Sequence, residues 1–578
     1  MVLTAIAEIV GVVSIGPFMA LVGDATILSE NNLLSQLYKF SGLTQPRAFV
    51  FWLGVGALVL LTLGTATSMF TVWRMSLFAQ QTGIEIGDRL FEYYMYQPWL
   101  FHASGNSARL TKQVMIEADR VTSSIITPLM QLNARLLMAI FMSIAVYVYN
   151  PIVMVSGLVI FGSAYLVLYL LVKTRLTQMG KNITFASFQR LKLMSEGFGG
   201  IKDVLLLGRQ KSFTEYFKLH GKKYSFSVGT NLALVQVPRY FMELVAYGAV
   251  IFLILYLNNS SGGNLSSVLP VLAVYSLAGL KMLPVFQTTY GSIAQIRSSL
   301  PAFESIKKDL EASQSNKKHQ INREQSHEHL TAKQSIKFKN IEFAYPGKQL
   351  PALTQFNLEI PIGKVIGLVG LSGSGKSTAI DVLLGLIKPD EGQLLIDGRP
   401  LTSVQTRAWQ NSAGFVPQSI FLSDSSIREN IAFGLPKSEI DSEQVWQAVH
   451  LAHLDDLIKE LPNGLDTIVG ERGVRLSGGQ RQRIGIARAL YYEAEVLVFD
   501  EATSALDTIT EKIIMDAIHD FSGRKTIVIV AHRITTVQKC DIIFLMDQGK
   551  VIDQGSYDEL IARNVTFQKL AMSVLMNE

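Results

Sequence analysis

Apolar residues gather in six runs in the first half of the chain, at roughly 1–23, 48–75, 125–148, 152–173, 235–257 and 266–290. Each is close to the ~20 residues that an apolar helix needs to cross hydrocarbon. The run from Phe49 to Trp73 is the plainest. The third and fourth are separated only by the turn Asn150-Pro151, and the fifth and sixth by the uncharged NNSSGGN at 258–264. The stretches from about 76 to 124 and from about 174 to 234 keep a helical pattern but are too polar for lipid, so the pattern predicts membrane helices prolonged into water. Turn signals at Gln97-Pro98-Trp99 and Gly197-Phe198-Gly199-Gly200 break each stretch, and a short crossing helix is expected at each tip. From 336 onward the pattern changes. IKFKNIEFAY, KVIGLVG, AEVLVFD, KTIVIVAH and DIIFLMD read as strands, several of them apolar without interruption, as strands buried on both faces of an α/β sheet are. Between the two halves, 311–335 is polar, charged and free of aromatics, and reads as a linker.

Charge fixes an orientation. Arg89, Arg109, Lys112 and Arg120 lie in the first long polar stretch, and Arg175, Lys181, Arg190, Lys192, Lys202, Arg209 and Lys211 in the second, whereas the turns at 150 and 260 carry neither Lys nor Arg. The excess of positive charge on the cytoplasmic side places both stretches in the cytoplasm. Six crossings then return the chain to that side near residue 300. The net charge of +5 over 578 residues is mild and does not point to nucleic acid. A mean hydropathy of +0.28 points to a membrane protein. The first run begins at residue 1 with no basic segment before it, which argues against a cleavable leader. The one cysteine, Cys540, can form no internal disulfide and makes no metal site by itself; it reads as a buried bystander. His319, His327 and His329 in the linker read as solvated side chains.

The candidate chemistry lies in the second half. Gly370-Leu371-Ser372-Gly373-Ser374-Gly375-Lys376-Ser377-Thr378 fits G-x-x-x-x-G-K-[ST], after a strand and before a helical TAIDVLLGLI. Glycines let such a loop bend and offer backbone N–H groups to phosphate oxygens, and the helix N-terminus adds its positive end. Lys376 would reach the β- and γ-phosphates, and Ser377 would ligate Mg²⁺. Further on, Val496-Leu-Val-Phe-Asp-Glu501 is an apolar strand ending in two carboxylates. Asp500 is expected to hold Mg²⁺ through water, and Glu501 to polarise the attacking water as general base.

Leu476-Ser477-Gly478-Gly479-Gln480, followed by RQRIGIARAL, resembles the signature of the ABC transporter ATPases, and it stands where that family has it, ahead of the Walker B strand. Other positions match in order. Tyr345 resembles the aromatic that stacks on adenine, and Gln418 in FVPQSIFL the Q-loop glutamine, which would share in holding Mg²⁺. Glu471-Arg-Gly473 is similar to the exporter x-loop, and Ser504-Ala-Leu-Asp507 to the D-loop. His532 in IVAHR resembles the switch histidine that meets the γ-phosphate. The resemblance implies ATP and Mg²⁺ as cofactors. It also implies a homodimer in which Ser477–Gln480 and Asp507 of one copy complete the site of the other. The hairpin tips near Trp99–His102 and Gly197–Lys202 are expected to act as coupling helices against the region around Gln418.

Ionisable groups in or near the apolar runs are Glu8, Arg135, Arg239, Glu243 and Lys281. A charge at bilayer depth costs roughly 2.5–3.5 kcal/mol and usually faces a partner or a wet cavity. Arg239 and Glu243, four apart, share a helix face: they either satisfy each other or line a cavity. Glu8 ahead of Pro17-Phe18, Val237-Pro-Arg239 with Glu243, and Lys281 before Leu283-Pro284 resemble exporters that flip lipid-linked oligosaccharides. So does SENNLLSQLYKFSG after the first run, whose pattern suits an amphipathic helix lying on the outer surface.

The sequence therefore predicts a membrane all-α six-helix ABC exporter domain (1–310), a polar linker (311–335) and an α/β P-loop NTPase domain (336–578). The expected activity is ATP-driven flipping of a polyprenyl-pyrophosphate-linked oligosaccharide across the cytoplasmic (inner) membrane. The alternative is export of another amphiphile, a lipid A-like lipid, drug or peptide. Substrate-cavity candidates are Glu8, Arg239, Glu243 and Lys281. The expected partners are a second copy, membrane lipid and a lipid-linked glycan, with no nucleic acid.

Overall fold

The computed structural model describes residues 14–23, 33–43, 45–149, 151–260, 265–324, 328–501, 523–531 and 534–575, together with Thr4, Ile6, Ala7, Val10, Gly11, Glu511 and Met515. Side chains are left out at some positions within these ranges, notably 256–283 and 315–324. The chain divides into two compact units, one of residues 1–97 and 104–317, the other of 98–103 and 318–578.

The first unit is helical: α1 (Ile15–Gly23), α2 (Leu33–Phe40), α3 (Pro46–Met95), α5 (Ser107–Lys112), α6 (Ala118–Val121), α7 (Thr127–Tyr149), α8 (Pro151–Gly199), α9 (Ile201–Leu206), α10 (Gln210–Ser260) and α11 (Leu265–Glu324). Helix α4 (Trp99–Ser104) lies almost wholly in the second unit. Helices α4 and α9 are the short tip helices that the turn signals predict. Among the described residues three helices are long and apolar enough to cross a membrane, Pro46–Met95, Ser107–Phe141 and Gly157–Gly199, and their most apolar windows are only 17%, 6% and 0% buried by protein. Apolar faces so bare suit a membrane or a packed partner and not water. The runs at 235–257 and 266–290 fall in α10 and α11. The first run lies partly outside the described residues. Helix α11 continues to Glu324, into the stretch whose composition reads as linker.

Polar side chains fasten the ends of these helices. Arg89 donates to Ser313 Oγ at 2.9 Å and to the Leu310 carbonyl at 3.0 Å. Tyr94 donates to Asp309 at 2.7 Å. Between α5 and α7 the helix passes through two π-turns, Gln113–Glu117 and Thr122–Ile126. In this segment Lys112 and Glu117 form a buried ion pair, and Arg120 reaches Thr184 Oγ1 at 2.8 Å and the Ser298 carbonyl at 3.1 Å. Arg190 of α8 lies over the Phe217 ring of α10 at 4.4 Å.

The second unit holds two sheets. One is antiparallel, in the order β2-β1-β4-β5, from β1 (Ser335–Phe343), β2 (Leu353–Pro361), β4 (Glu391–Ile396) and β5 (Arg399–Pro400). The other runs β10-β9-β3-β8-β7-β6, from β3 (Val365–Gly370), β6 (Ala413–Val416), β7 (Val496–Asp500), β8 (Thr526–Val530), β9 (Ile542–Asp547) and β10 (Lys550–Gly555). All its pairings are parallel except that of β10 with β9. Alternate residues of β7 enter opposite cores. Leu497 and Phe499 pack with Ile484, Ile486 and Ile527, while Val496 and Val498 pack with Phe338, Phe356 and Leu383. This two-sided burial is why the strand reads as an unbroken apolar run. It also puts Gly370 and Asp500 at the C-terminal ends of two strands separated in the sheet only by β8, where an open parallel sheet offers its ligand crevice.

Candidate functional site

The loop after β3 bends because two of its glycines adopt backbone that L side chains rarely take. Gly373 has φ +82°, and Gly375, which caps α12 (Lys376–Leu383), has φ +100°. A Cβ on Gly375 would lie 2.7 Å from the Ala352 carbonyl, so contact and φ both exclude a side chain. Gly375→Ala is expected to cost about 1–3 kcal/mol, read as a lowered unfolding temperature of the purified protein together with weaker nucleotide binding.

Lys376 is buried, at 5% exposure. Its ammonium donates to the carbonyls of Gly370 at 2.6 Å and Leu371 at 3.0 Å, and reaches Ser374 Oγ at 3.5 Å. Burial pulls its pKa below the usual lysine value, and the carboxylates of Glu501 and Asp500 oppose that pull. The phosphate loop and the two acids that end β7 are therefore one electrostatic group. Gln418 joins them, its Nε2 donating to Glu501 Oε2 at 2.6 Å. Glu501 sits at φ +50° and its N–H donates to the Val530 carbonyl at 3.1 Å. Ser372, Gly373 and Ser377 face solvent, so the cradle is open. Tyr345 stands beside it, its hydroxyl 3.3 Å from Thr378 Oγ1 and its ring edge-on to Phe343.

Ser477, Gly478, Gly479 and Gln480 form a separate, accessible feature. Ser477 caps α13 (Gly478–Tyr491) in a reciprocal capping box: the Gln480 N–H donates to Ser477 Oγ at 3.2 Å, and the Ser477 N–H to Gln480 Oε1 at 2.8 Å. The side chain that caps the helix leaves the next amides at an exposed positive helix end, a natural anion site.

The structure thus brings together Lys376, Gln418, Asp500, Glu501 and the loop Gly370–Thr378, with Tyr345 at the margin. Asp507 and His532 lie outside the described residues, as does Glu8. Lys281 lies on α11, with its side chain outside the described set. Arg239 and Glu243 pair with each other at 2.9 Å, the first of the two arrangements that their spacing allows. Cys540 is buried, and burial pushes its thiol up to about 12, leaving it inert at neutral pH. No group of three or more metal-ligating side chains occurs among the described residues.

Two features lay beyond the sequence reading. One is a cavity of about 310 Å³ in the membrane unit, lined by Thr4, Ser68, Thr71, Gln131, Arg135 and Thr288 among others. The pattern exposes Arg135 as a charge in an apolar run but not the hydroxyls that gather round it. The other is an interaction between Trp99 and Asp381, which no local signal reveals.

A parallel sheet with a glycine cradle, a buried lysine and a strand-end acid pair defines a P-loop nucleotide hydrolase, here joined to bare apolar helices. Comparison with known proteins narrows the class. Residues 353–504 match the family described as ABC transporter. The "ATP-dependent lipid A-core flippase" of Salmonella typhimurium is 29% identical over 526 residues, spanning 91% of this chain and 88% of the relative. Its Escherichia coli K12 counterpart is 28% identical over the same coverage. A solved bacterial Atm1-family ABC exporter with ATP bound shares the fold, with a TM-score of 0.73, 21% identity, and coverage of 99% of this chain and 96% of that one. Residues 353–504 thus form an ABC transporter ATPase domain, and the chain as a whole is similar to exporter-type half-transporters, in which such a domain couples ATP hydrolysis to transport.

Proposed function

We propose that two copies of this chain form an ATP-driven flippase for an anionic glycolipid of the lipid A kind, in the cytoplasmic membrane with the ATPase domains in the cytoplasm. The observation that carries the reading is the similarity to lipid A-core flippases across 91% of the chain, which takes in the membrane half as well as the ATPase. The sequence pattern put a polyprenyl-linked oligosaccharide first and a lipid A-like lipid second; the relatives reverse that order.

The membrane cavity suits such a head group. Arg135 has Met138 Sδ at 3.7 Å, and no carboxylate lines the cavity among the described residues. A guanidinium at bilayer depth gains most from an anion brought to it, and its planar fork suits phosphate. Threonine and serine hydroxyls around it offer hydrogen bonds to sugar, while Met75, Met130 and Met138 give an adaptable apolar wall. A polyprenyl-linked glycan is the second reading, favoured by α2. This helix leaves Leu37 and Phe40 55% and 93% exposed, as a surface helix touching a lipid tail would.

In the ATPase, Lys376 and the amides of Gly373–Thr378 would hold the phosphates, with Tyr345 against the adenine. Ser377, Gln418 and Asp500 would hold Mg²⁺, which supplies charge neutralisation at the phosphate oxygens. Glu501 would accept a proton from the attacking water, with Gln418 orienting its carboxylate and His532 at the γ-phosphate. Ser477–Gln480 and Asp507 of one copy would close over the nucleotide held by the other. The reading is tested by ATPase stimulation in detergent. Hexa-acylated bisphosphorylated lipid A is expected to raise turnover, and Arg135→Ala to remove most of that increase while leaving basal turnover intact. Stimulation by a polyprenyl-pyrophosphate oligosaccharide alone would favour the second reading. Stimulation by neither would refute both.

A further inference from the structure

We infer that Lys112 and Glu117 are positioning residues: their buried ion pair closes a π-turn that aims Arg135, further along the same helix, into the membrane cavity. The inference rests on Arg135 facing that cavity and not on which lipid enters it.

From Ser107 to Tyr149 the chain stays helical through both π-turns. An α-helix closes its turns with bonds that span four residues. Here the Ala118 N–H donates to the Gln113 carbonyl and the Thr127 N–H to the Thr122 carbonyl, each across five. Side chains repeat that spacing. Lys112 donates to Glu117, five residues on, and the Thr127 hydroxyl donates to the Thr122 carbonyl at 3.0 Å. In an unbroken α-helix, residues five apart lie about 140° apart around the axis. Lys112 and Glu117 therefore meet because the π-turn brings them together. Their side chains are 6% and 1% exposed, so neither charge can turn to water instead. Neighbouring helices hold both ends of the turn. Gln113 donates to the Ser305 carbonyl at 2.8 Å. Arg120, 3.8 Å from the second oxygen of Glu117, donates to Thr184 Oγ1 and the Ser298 carbonyl.

A π-turn holds one residue more than an α-turn, and one residue is about 100° of rotation. The register beyond Glu117 thus decides which residues α7 shows to the cavity. Thr127, Gln131, Ala134, Arg135 and Met138 line it, a stripe at helical spacing. Leu129, Leu136 and Ile140 are exposed on the other side of α7. If the first π-turn closed to an α-turn above a fixed α5, Arg135 would move to the place of Leu136. Ala134 would take the place of Arg135, and Asn133 that of Ala134. The guanidinium would leave the hydroxyl-lined cavity for the bare apolar face, where a charge at bilayer depth is costly. An ion pair that the five-residue turn brings together holds the register that keeps Arg135 inside.

The test is the water accessibility of single cysteines at 133, 134 and 135 in the full-length protein in lipid nanodiscs. It is read as the rate of reaction with a charged, membrane-impermeant methanethiosulfonate, and Cys540, which is buried, supplies the background. In the parent, Ala134→Cys and Arg135→Cys are expected to react about tenfold faster than Asn133→Cys, since thiol reactivity follows access to water. Lys112→Met combined with Glu117→Leu leaves no buried charge unpaired. It should reverse the order of 133 and 135 while 134 stays fast. Deleting Met115, an exposed residue of the π-turn, from that double variant should restore the parent's order, because an α-turn then reaches the same register with one residue fewer. The same deletion in the parent should keep the order, since Lys112 and Glu117 then stand four apart, the spacing that an α-turn pairs. A parent in which 133 and 135 react alike overturns the placement of Arg135 in the cavity, and the inference with it. A double variant that keeps the parent's order overturns the inference alone, as does a reversal that the deletion fails to correct. Equal rates at all three positions in the double variant would mean that the pair serves the fold of the helix and not its register, and the inference falls.

Discussion

Replacing Glu501 by Gln is expected to lower ATP turnover by about 10²–10⁴-fold and to leave nucleotide binding intact. The change removes the carboxylate that would take the proton of the attacking water, yet keeps a side chain of the same shape. The binding elements are elsewhere: Lys376 is satisfied by the Gly370 and Leu371 carbonyls, and the glycine backbone is set by Gly373 and Gly375. Gln418, which donates to Glu501 at 2.6 Å, still finds an amide oxygen there. The check is steady-state phosphate release alongside equilibrium binding of a fluorescent ATP analogue. Normal hydrolysis by Glu501→Gln would remove Glu501 from the role of base.

Lys376→Met should act at the earlier stage. Methionine fills the space but offers no donor, so charge-assisted bonds to phosphate, worth about 1.5–3 kcal/mol each, are lost. Nucleotide affinity is expected to fall about 10- to 100-fold, and hydrolysis with it. The same change leaves the Gly370 and Leu371 carbonyls without their donor, at a further stability cost of about 1–3 kcal/mol before any nucleotide binds. Titration calorimetry with MgATP and thermal unfolding without it separate the two effects. Weak binding with unchanged stability would mean that the lysine is held more loosely than its 5% exposure implies.

The ATPase site was legible because its chemistry is local in sequence. VIGLVG, the glycine run and Lys376 are consecutive, and β7 delivers Asp500 and Glu501 at the end of an apolar run whose two-sided burial the composition already signals. The tip helices Trp99–Ser104 and Ile201–Leu206 were legible for a similar reason, since Pro98 and the glycines at 197–200 interrupt a helical pattern. What escaped was long-range. Asp381 is one polar residue between the apolar Ile380 and Val382, and nothing near it announces Trp99. Arg135 stands out as a charge, but the threonines and serines that share its cavity come from other helices. The continuation of α11 to Glu324 was hidden by composition. Lys, Gln and Glu support a helix as readily as a coil, and without an apolar face the pattern gives no period to read. The π-turns at Gln113–Glu117 and Thr122–Ile126 leave no mark in residue type either.

The substrate was the least legible part, because it depends on how a few polar groups are arranged across several apolar helices. The pairing of Arg239 with Glu243 removes one apparent free charge from that account, and the cavity at Arg135 supplies another. The most direct measurement is leaflet-to-leaflet movement in sealed proteoliposomes carrying a labelled bisphosphorylated lipid A and, in separate vesicles, a labelled polyprenyl-pyrophosphate oligosaccharide, with MgATP and with Glu501→Gln as the control. The account predicts ATP-dependent movement of lipid A that disappears in the control and falls sharply in Arg135→Ala. ATP hydrolysis without movement of lipid A would contradict it.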